Sequence, residues 1–404
     1  MNFKDTEIGK IPFEWEVCEL KDKVEITMGQ SPKSEFYNDK GEGIPFMQGR
    51  ATFGEKYHYI DTWCTQPKKY AEKNDVLMSV RAPVGDVNIA TTDLCIGRGL
   101  ASLRMRNKNN EYLYYLLKNF TSVFTSRESG TVFGSINKSG IESVKLPFPN
   151  KYEQKAIAKV LSDLDEKIEI NNKINKKLEE MAQTIFKQWF VDFEFPNEDG
   201  KPYKSSGGEM VESELGMIPR EWEISELGEI IELFDSKRIP LSKNERQKRE
   251  KIYPYYGAAS LMDYVDDYIF DGVYILMGED GTVVTNYGYP ILQYVWGKFW
   301  VNNHAHVIKG KCSIPDEFIY ILLKNTNVKT IVTGAVQPKI NQQNLKSLKI
   351  VIPGDEKLLL KYENIVKNSF EQIRVLSEEN KTLIKLRDTL LPKLMSGEIR
   401  VPMD

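Results

Sequence analysis

The sequence predicts an α+β chain: two β-rich domains in a pseudo-twofold arrangement, separated by two long antiparallel coiled-coil helices. Three observations predict it. The chain repeats itself at a period near 205 residues, each repeat carries one long stretch of helical apolar spacing, and the rest breaks into short apolar runs between turn residues.

The repeat comes first because it sets the domain count. Thr6-Glu7-Ile8-Gly9-Lys10-Ile11-Pro12-Phe13-Glu14-Trp15 returns as Ser213-Glu214-Leu215-Gly216-Met217-Ile218-Pro219-Arg220-Glu221-Trp222, at an offset of 207. Gly130-Thr131-Val132 with Ile136-Asn137 returns as Gly334-Ala335-Val336 with Ile340-Asn341, and Leu178, Met181 and Thr184 return as Leu383, Leu386 and Thr389. Stacked solenoid units repeat every 20 to 50 residues or so, so a period this long means whole duplicated domains. The expected division is a first globular domain over 1–150, a helix over 151–190, a connector over 191–212, a second domain over 213–353, and a helix with tail over 354–404.

Within the globular parts, runs such as Val76-Leu77-Met78-Ser79-Val80 and Val273-Tyr274-Ile275-Leu276-Met277 are bounded by Gly, Pro, Asn and Asp, which reads as short strands joined by loops. Residues 153–189 hold no Gly or Pro and space their apolar residues three or four apart, which makes a long amphipathic helix. Residues 355–396 do the same, with Pro392 expected to kink or end the final turn and Gly397 to close it. Two such stripes bury each other most simply as a coiled coil, through Leu164, Ile168, Asn175 and Leu178 on one helix and Ile373, Leu376, Asn380 and Leu383 on the other. Since both halves run domain then helix, antiparallel pairing gives the pseudo-twofold form. A helix of about 37 residues is about 55 Å long at ~1.5 Å per residue, and that length is expected to act as a ruler.

Composition narrows the function classes. A 404-residue chain with 41% hydrophobic residues has material for two or three cores. The start, Met1–Lys10, lacks a signal-peptide run and no stretch is long enough to span a bilayer, so a soluble cytoplasmic protein is expected. Cys18, Cys64, Cys95 and Cys312 form no Cys-x-x-Cys pair, which points to reduced, packing cysteines. A net charge of −3 is unfavourable for phosphate contact, so attention moves to local charge. Arg98, Arg104, Arg106 and Lys108 stand without an acid between 98 and 108, and seven Lys or Arg face Glu245 and Glu250 between 237 and 251, both clusters outside the long helices.

Catalytic signals are missing. There is no Asn/Asp-Pro-Pro-aromatic tetrapeptide for methyl transfer and no Gly-x-x-x-x-Gly-Lys-Ser/Thr phosphate cradle. Asp165-Glu166-Lys167 and Asp355-Glu356-Lys357 read as solvated helix charges. His304-Ala305-His306 puts two imidazoles on one face of a strand, but with no third ligand at matching spacing no metal is expected, and a structural or DNA-facing role is preferred.

The ordered, duplicated signature resembles a known family, the specificity subunits of Type I restriction-modification systems. Its carriers are Ile11-Pro12 with Trp15, Ile218-Pro219 with Trp222, Leu146-Pro147-Phe148-Pro149 with Glu153-Gln154, Thr184-Ile185-Phe186, Asn302-Asn303-His304-Ala305-His306-Val307, Gln337-Pro338-Lys339-Ile340-Asn341 and Leu391-Pro392-Lys393-Leu394-Met395-Ser396-Gly397. The first half departs from the second: Phe133-Gly134-Ser135 stands where Gln337-Pro338-Lys339 falls, and Gly99-Leu100-Ala101 near His304-Ala305-His306.

The resemblance implies two target-recognition domains, each reading half of a split double-stranded DNA target, and no chemistry in this chain. It also implies two modification subunits that bind S-adenosylmethionine and methylate adenine, and two motor-nuclease restriction subunits that use ATP and Mg; this chain itself carries no cofactor. Exposed apolar helix surface would leave the isolated chain poorly soluble until modification subunits bind. Candidate DNA contacts are Arg98, Arg104, Lys237 and Arg238 from the basic segments, and Gln48, Arg50, Arg81, Tyr255, Tyr256, His304 and Lys339 as polar or aromatic readers. The competing readings are a specificity subunit of a related Type IIB or IIG system and a coiled-coil scaffold that binds no DNA.

Overall fold

The computed structural model describes residues 2–127, 134–334 and 337–402; Gly130-Thr131-Val132, Phe133 and Ala335-Val336 of the repeat signature lie outside the described residues. The chain forms two compact units, Met1–Ile170 with Glu379–Asp404, and Asn171–Glu378. The division falls inside both long helices, so each unit owns a segment of each.

The two units share one topology. In the first, an antiparallel sheet orders Val87–Ile89, Val76–Ser79, Leu100–Met105 and Val24–Met28. In the second, Leu292–Val295, Tyr274–Gly278, Ala305–Gly310 and Ile231–Leu233 take the same order. A second sheet, five-stranded in the first unit and four-stranded in the second, is built on a parallel pair, Ile44–Met47 with Leu94–Ile96 and Tyr253–Tyr256 with Lys298–Val301. The strand Val76–Ser79 is buried along its whole length, which explains its continuous apolar run. A ten-residue helix covers each fully antiparallel sheet, Asn110–Asn119 in the first unit and Asp316–Asn325 in the second, and six consecutive residues of each are buried.

The long helices span Lys151–Phe186 and Glu356–Met395. Both starts are capped: Asn150 Oδ1 accepts from the Tyr152 and Glu153 N–H groups, and Asp355 Oδ1 from Lys357 N–H. The Lys357 N–H, with that ammonium nearby, holds the Asp355 carboxyl below its usual range. Pro392 does not end the helix but stands at the start of its last turn. The helix runs on to Met395, and Gly397 closes it at φ +72, where an added Cβ would also meet the Pro12 ring at 2.3 Å.

The helical stripes pack into the domain cores as well as against each other. Ile157, Ala158 and Leu161 join Leu391, Leu394 and Met395 in the core around Trp15 and Tyr112. Ala182 and Phe186 join Leu359, Tyr362, Val366 and Phe370 in the core around Trp222 and Phe318. Of the seam candidates, Ile168, Leu376 and Asn380 are buried, and Leu164, Asn175, Leu178, Ile373 and Leu383 half-buried. Pairing within each unit is antiparallel. In the first, Asp165 meets Arg387 and Lys167 meets Glu379; in the second, Asn175 Nδ2 donates to Ser377 Oγ at 3.2 Å and the Tyr362 hydroxyl donates to the Ala182 carbonyl at 3.1 Å.

Asp165 is therefore not the solvated helix charge its sequence context predicts. Its carboxylate accepts from Arg387 Nη1 at 2.8 Å and from the Tyr115 hydroxyl at 2.5 Å, with 8% of the Asp165 side chain and 10% of Arg387 exposed. The tail beyond the helix completes the first unit in a similar way: Arg400 bonds both oxygens of buried Glu153, whose Oε2 also accepts from the Trp15 indole.

A buried ion pair broken on one side leaves an uncompensated charge, so Arg387→Met lowers stability by about 3 kcal/mol. The double variant Asp165→Leu with Arg387→Met recovers most of that loss, measured by urea unfolding of the two variants against the parent.

Candidate nucleic-acid interface

In both units the ends of several strands are stitched side by side by main-chain hydrogen bonds. In the first, Gly97 N–H donates to Met47 C=O (2.8 Å), Gly99 N–H to Gln48 C=O (3.1 Å), Val80 N–H to Gly99 C=O (2.9 Å) and Ile136 N–H to Val80 C=O (3.1 Å). In the second, Asn302 N–H donates to Tyr256 C=O (3.1 Å), Glu279 N–H to His304 C=O (2.8 Å) and Ile340 N–H to Glu279 C=O (2.9 Å). Single bridges join Arg81 to Ser135 and Asp280 to Lys339. The two frames thus match position by position: Gln48 with Gly257, Gly99 with His304, Arg81 with Asp280, and Ser135 with Lys339.

The first frame needs glycine. A Cβ on Gly29 would stand 2.1 Å from the Gly97 carbonyl oxygen, and one on Gly99 2.6 Å from that of Gln48. Three segments therefore cross at backbone contact, which brings Gln48, Arg81 and Arg98 onto one exposed strip. Arg50 is also exposed but paired with Asp86. Arg104 is engaged by the fold: it forks onto buried Asp75 at 2.7 and 2.8 Å and reaches exposed Glu72 at 2.8 Å.

The second frame is held by a buried charge network. His306, fully buried, donates from Nδ1 to Asp235 Oδ2 at 2.6 Å and from Nε2 to the Ile340 carbonyl at 2.8 Å. Asp235 also accepts from Val307 N–H at 2.9 Å and Gln342 Nε2 at 2.7 Å. Arg238 reaches Glu279 and the Ala305 carbonyl, both at 2.7 Å, and Lys339 lies 3.3 Å from Glu279. Burial alone would raise the Asp235 carboxyl; the hydrogen bonds from His306 and Val307 and the positive charges of His306 and Arg238 outweigh it and hold it below its ordinary value. Glu279 is lowered against its own burial by Arg238, His306 and Lys339.

Several sequence expectations change here. Arg238 and Tyr255 are structural: the guanidinium is consumed in the network, and the Tyr255 ring is 1% exposed with its hydroxyl accepting from Leu241 N–H. The two histidines do not act together, because His304 sits in the turn before the strand and pairs with Asp280 at 2.5 Å. Among the described residues, the one set of side chains close enough to hold a metal is Asp235, Glu279 and His306. Two cations already satisfy those carboxylates, so the set is a hydrogen-bonded clamp. Of the basic stretch 237–251, Lys243–Gln247 forms a short capped helix, while Arg246, Arg249 and Lys251 pair with Asp263 and Asp266. Lys237 stays exposed beside the Phe234 ring, Tyr256 is half-buried with its hydroxyl pushed up to about 12 by burial, and Lys339 is exposed. Sequence reasoning missed Ser31, Asp235, Glu279 and Asp280. Asp235 becomes visible only once the strand register sets Phe234 against Val307.

Because the folded carboxyl of Asp235 lies below its unfolded value, its stabilisation is fully present above about pH 4 and is lost as pH falls through the lower folded value. Asp235→Asn is expected to cost about 3 kcal/mol at neutral pH. The gap to the parent narrows below about pH 4, followed by chemical denaturation across that range.

The comparisons with known proteins agree with one another. The family model for the Type I restriction modification DNA specificity domain matches residues 12–180 and 219–367. The chain is 30% identical to the specificity subunit of the type I restriction enzyme MjaIX of Methanocaldococcus jannaschii, over 99% of this chain and 96% of that relative. It is 45% identical over 188 residues to a chain assigned as the MjaX specificity subunit of the same organism, spanning 46% of this chain and 44% of that relative. Among solved structures, the S subunit of a Type I restriction-modification system from M. genitalium superimposes with a TM-score of 0.59 at 20% identity, covering 95% of this chain and 96% of that one, a likeness of fold.

Proposed function

The chain belongs to the Type I restriction-modification DNA specificity family, with two copies of its domain, and on that premise we propose that each unit reads one half of a bipartite duplex DNA target. The observation that supports this most is the matched pair of main-chain frames carrying unlike side chains. A common scaffold with Gln48, Arg81 and Arg98 in one copy and Asp280, His304 and Lys339 in the other suits two readers of two different sequences. Backbone contacts to phosphate position such a reader, and base-edge contacts specify.

In this reading the chain supplies the address and no chemistry. Modification subunits that bind S-adenosylmethionine would methylate adenine at the target, and restriction subunits would bring ATP and Mg; two of each would join one copy of this chain. The exposed apolar residues of the long helices, Ile170, Ile174, Met181 and Val375 among them, offer the modification subunits a surface. No helix among the described residues is long and apolar enough to cross a membrane.

Two measurements test the reading. Exchanging residues 30–130 for the matching segment of another member of the family changes one half-site and leaves the other intact, read by selection from a randomised duplex library; altered preference in both halves would count against separate readers. Arg98→Ala and Lys237→Ala each lower the slope of log affinity against log salt by about 1, as expected for one lost phosphate contact. Unchanged slopes would remove those two residues from the interface.

A further inference from the structure

Gln48 is held in a way that no exposed glutamine needs for stability. Its carbonyl is tied to Gly99 N–H at 3.1 Å, and the carbonyl of its neighbour Met47 to Gly97 N–H at 2.8 Å. Its side chain lies over Gly97, where an added Cβ would stand 2.9 Å from Oε1. The Ser31 hydroxyl then fixes the amide: Ser31 Oγ accepts from Arg98 N–H at 3.1 Å, which leaves its own proton to donate to Gln48 Oε1 at 3.0 Å. One lone pair of Oε1 is thereby used. The other lone pair is left over, Gln48 is exposed, and Nε2 has no hydrogen-bond partner among the described residues. The matching position of the second unit is Gly257, which has no side chain to present.

The geometry points to Gln48 as the residue that selects one adenine in the half-site read by the first unit, with Ser31 as its positioning residue. This rests on the function proposed above and names the base that it leaves open. An adenine presents an acceptor, N7, beside a donor, the N6 amino group, in the major groove; Nε2 donates to the first and the spare lone pair of Oε1 accepts from the second. Guanine presents two acceptors there, N7 and O6, so Oε1 would face an oxygen. With Ser31 holding Oε1 in place, the amide is aligned before DNA arrives, which is what bidentate selectivity requires.

The test is selection of the full-length chain, purified together with its modification subunits, on a randomised duplex library, followed by binding to the selected duplex with 7-deazaadenine placed at single adenines. The parent is expected to select a bipartite motif in which one adenine loses at least about tenfold in affinity on removal of N7, the scale of one bidentate pair. Gln48→Ala relaxes selection at that adenine, leaves the other half-site unchanged and becomes indifferent to 7-deazaadenine. Ser31→Ala keeps adenine as the preferred base with a smaller margin. Selection at every position unchanged in Gln48→Ala, or relaxation only at a base other than adenine, overturns the inference while leaving the two-reader function standing. A parent that selects no motif overturns both. Equal thermal melting of Gln48→Ala and parent separates loss of reading from loss of fold.

Discussion

Both matched frames depend on main-chain hydrogen bonds that hold strand ends together whatever side chains they carry. Val80 N–H to Gly99 C=O and Ile136 N–H to Val80 C=O in one unit, and Glu279 N–H to His304 C=O and Ile340 N–H to Glu279 C=O in the other, are the same two bonds, although Val80 and Gly99 are replaced by Glu279 and His304. Backbone groups buried at such a crossing must be paired, so the crossing is conserved in geometry by its own chemistry. What projects from it is free to differ.

The two units solve the packing beneath that crossing differently. Beneath the first, Met78, Ala101 and Leu103 pack as an ordinary apolar core. Beneath the second, His306 takes the strand position of Ala101 and brings Asp235, Glu279, Arg238 and Gln342 with it. A satisfied polar network of this kind fixes geometry tightly and tolerates loss of a member poorly. Arg238 and Lys339, both candidates from the sequence, therefore fare differently: one is consumed holding the frame, and the other both braces Glu279 and remains exposed.

Much of the fold was legible because its signals were local or duplicated. Gly, Pro and Trp recurring at one offset marked the domains, and unbroken three-and-four spacing marked the helices. The partners of those helices were less legible, since Ile157 and Val366 look alike whether they face another helix or a β-rich core. Gln48 and Arg81, chosen by residue type, and Arg98, chosen from a basic cluster, are all exposed around the crossing of the first unit. Arg104 and Tyr255 were not separable from them, because Asp75 is 29 residues from Arg104 and Leu241 14 from Tyr255, and only the folded chain shows that each is engaged.

The discontinuity of the first unit bears on how the chain is made. Its core around Trp15 is closed by Leu391, Leu394 and Met395, and Arg400 seals Glu153 against the Trp15 indole. Those residues leave the ribosome after every residue of the second unit, which is contiguous in sequence. Vectorial synthesis therefore lets the second unit close first, while the first keeps an apolar face uncovered until the last turn of the second long helix arrives.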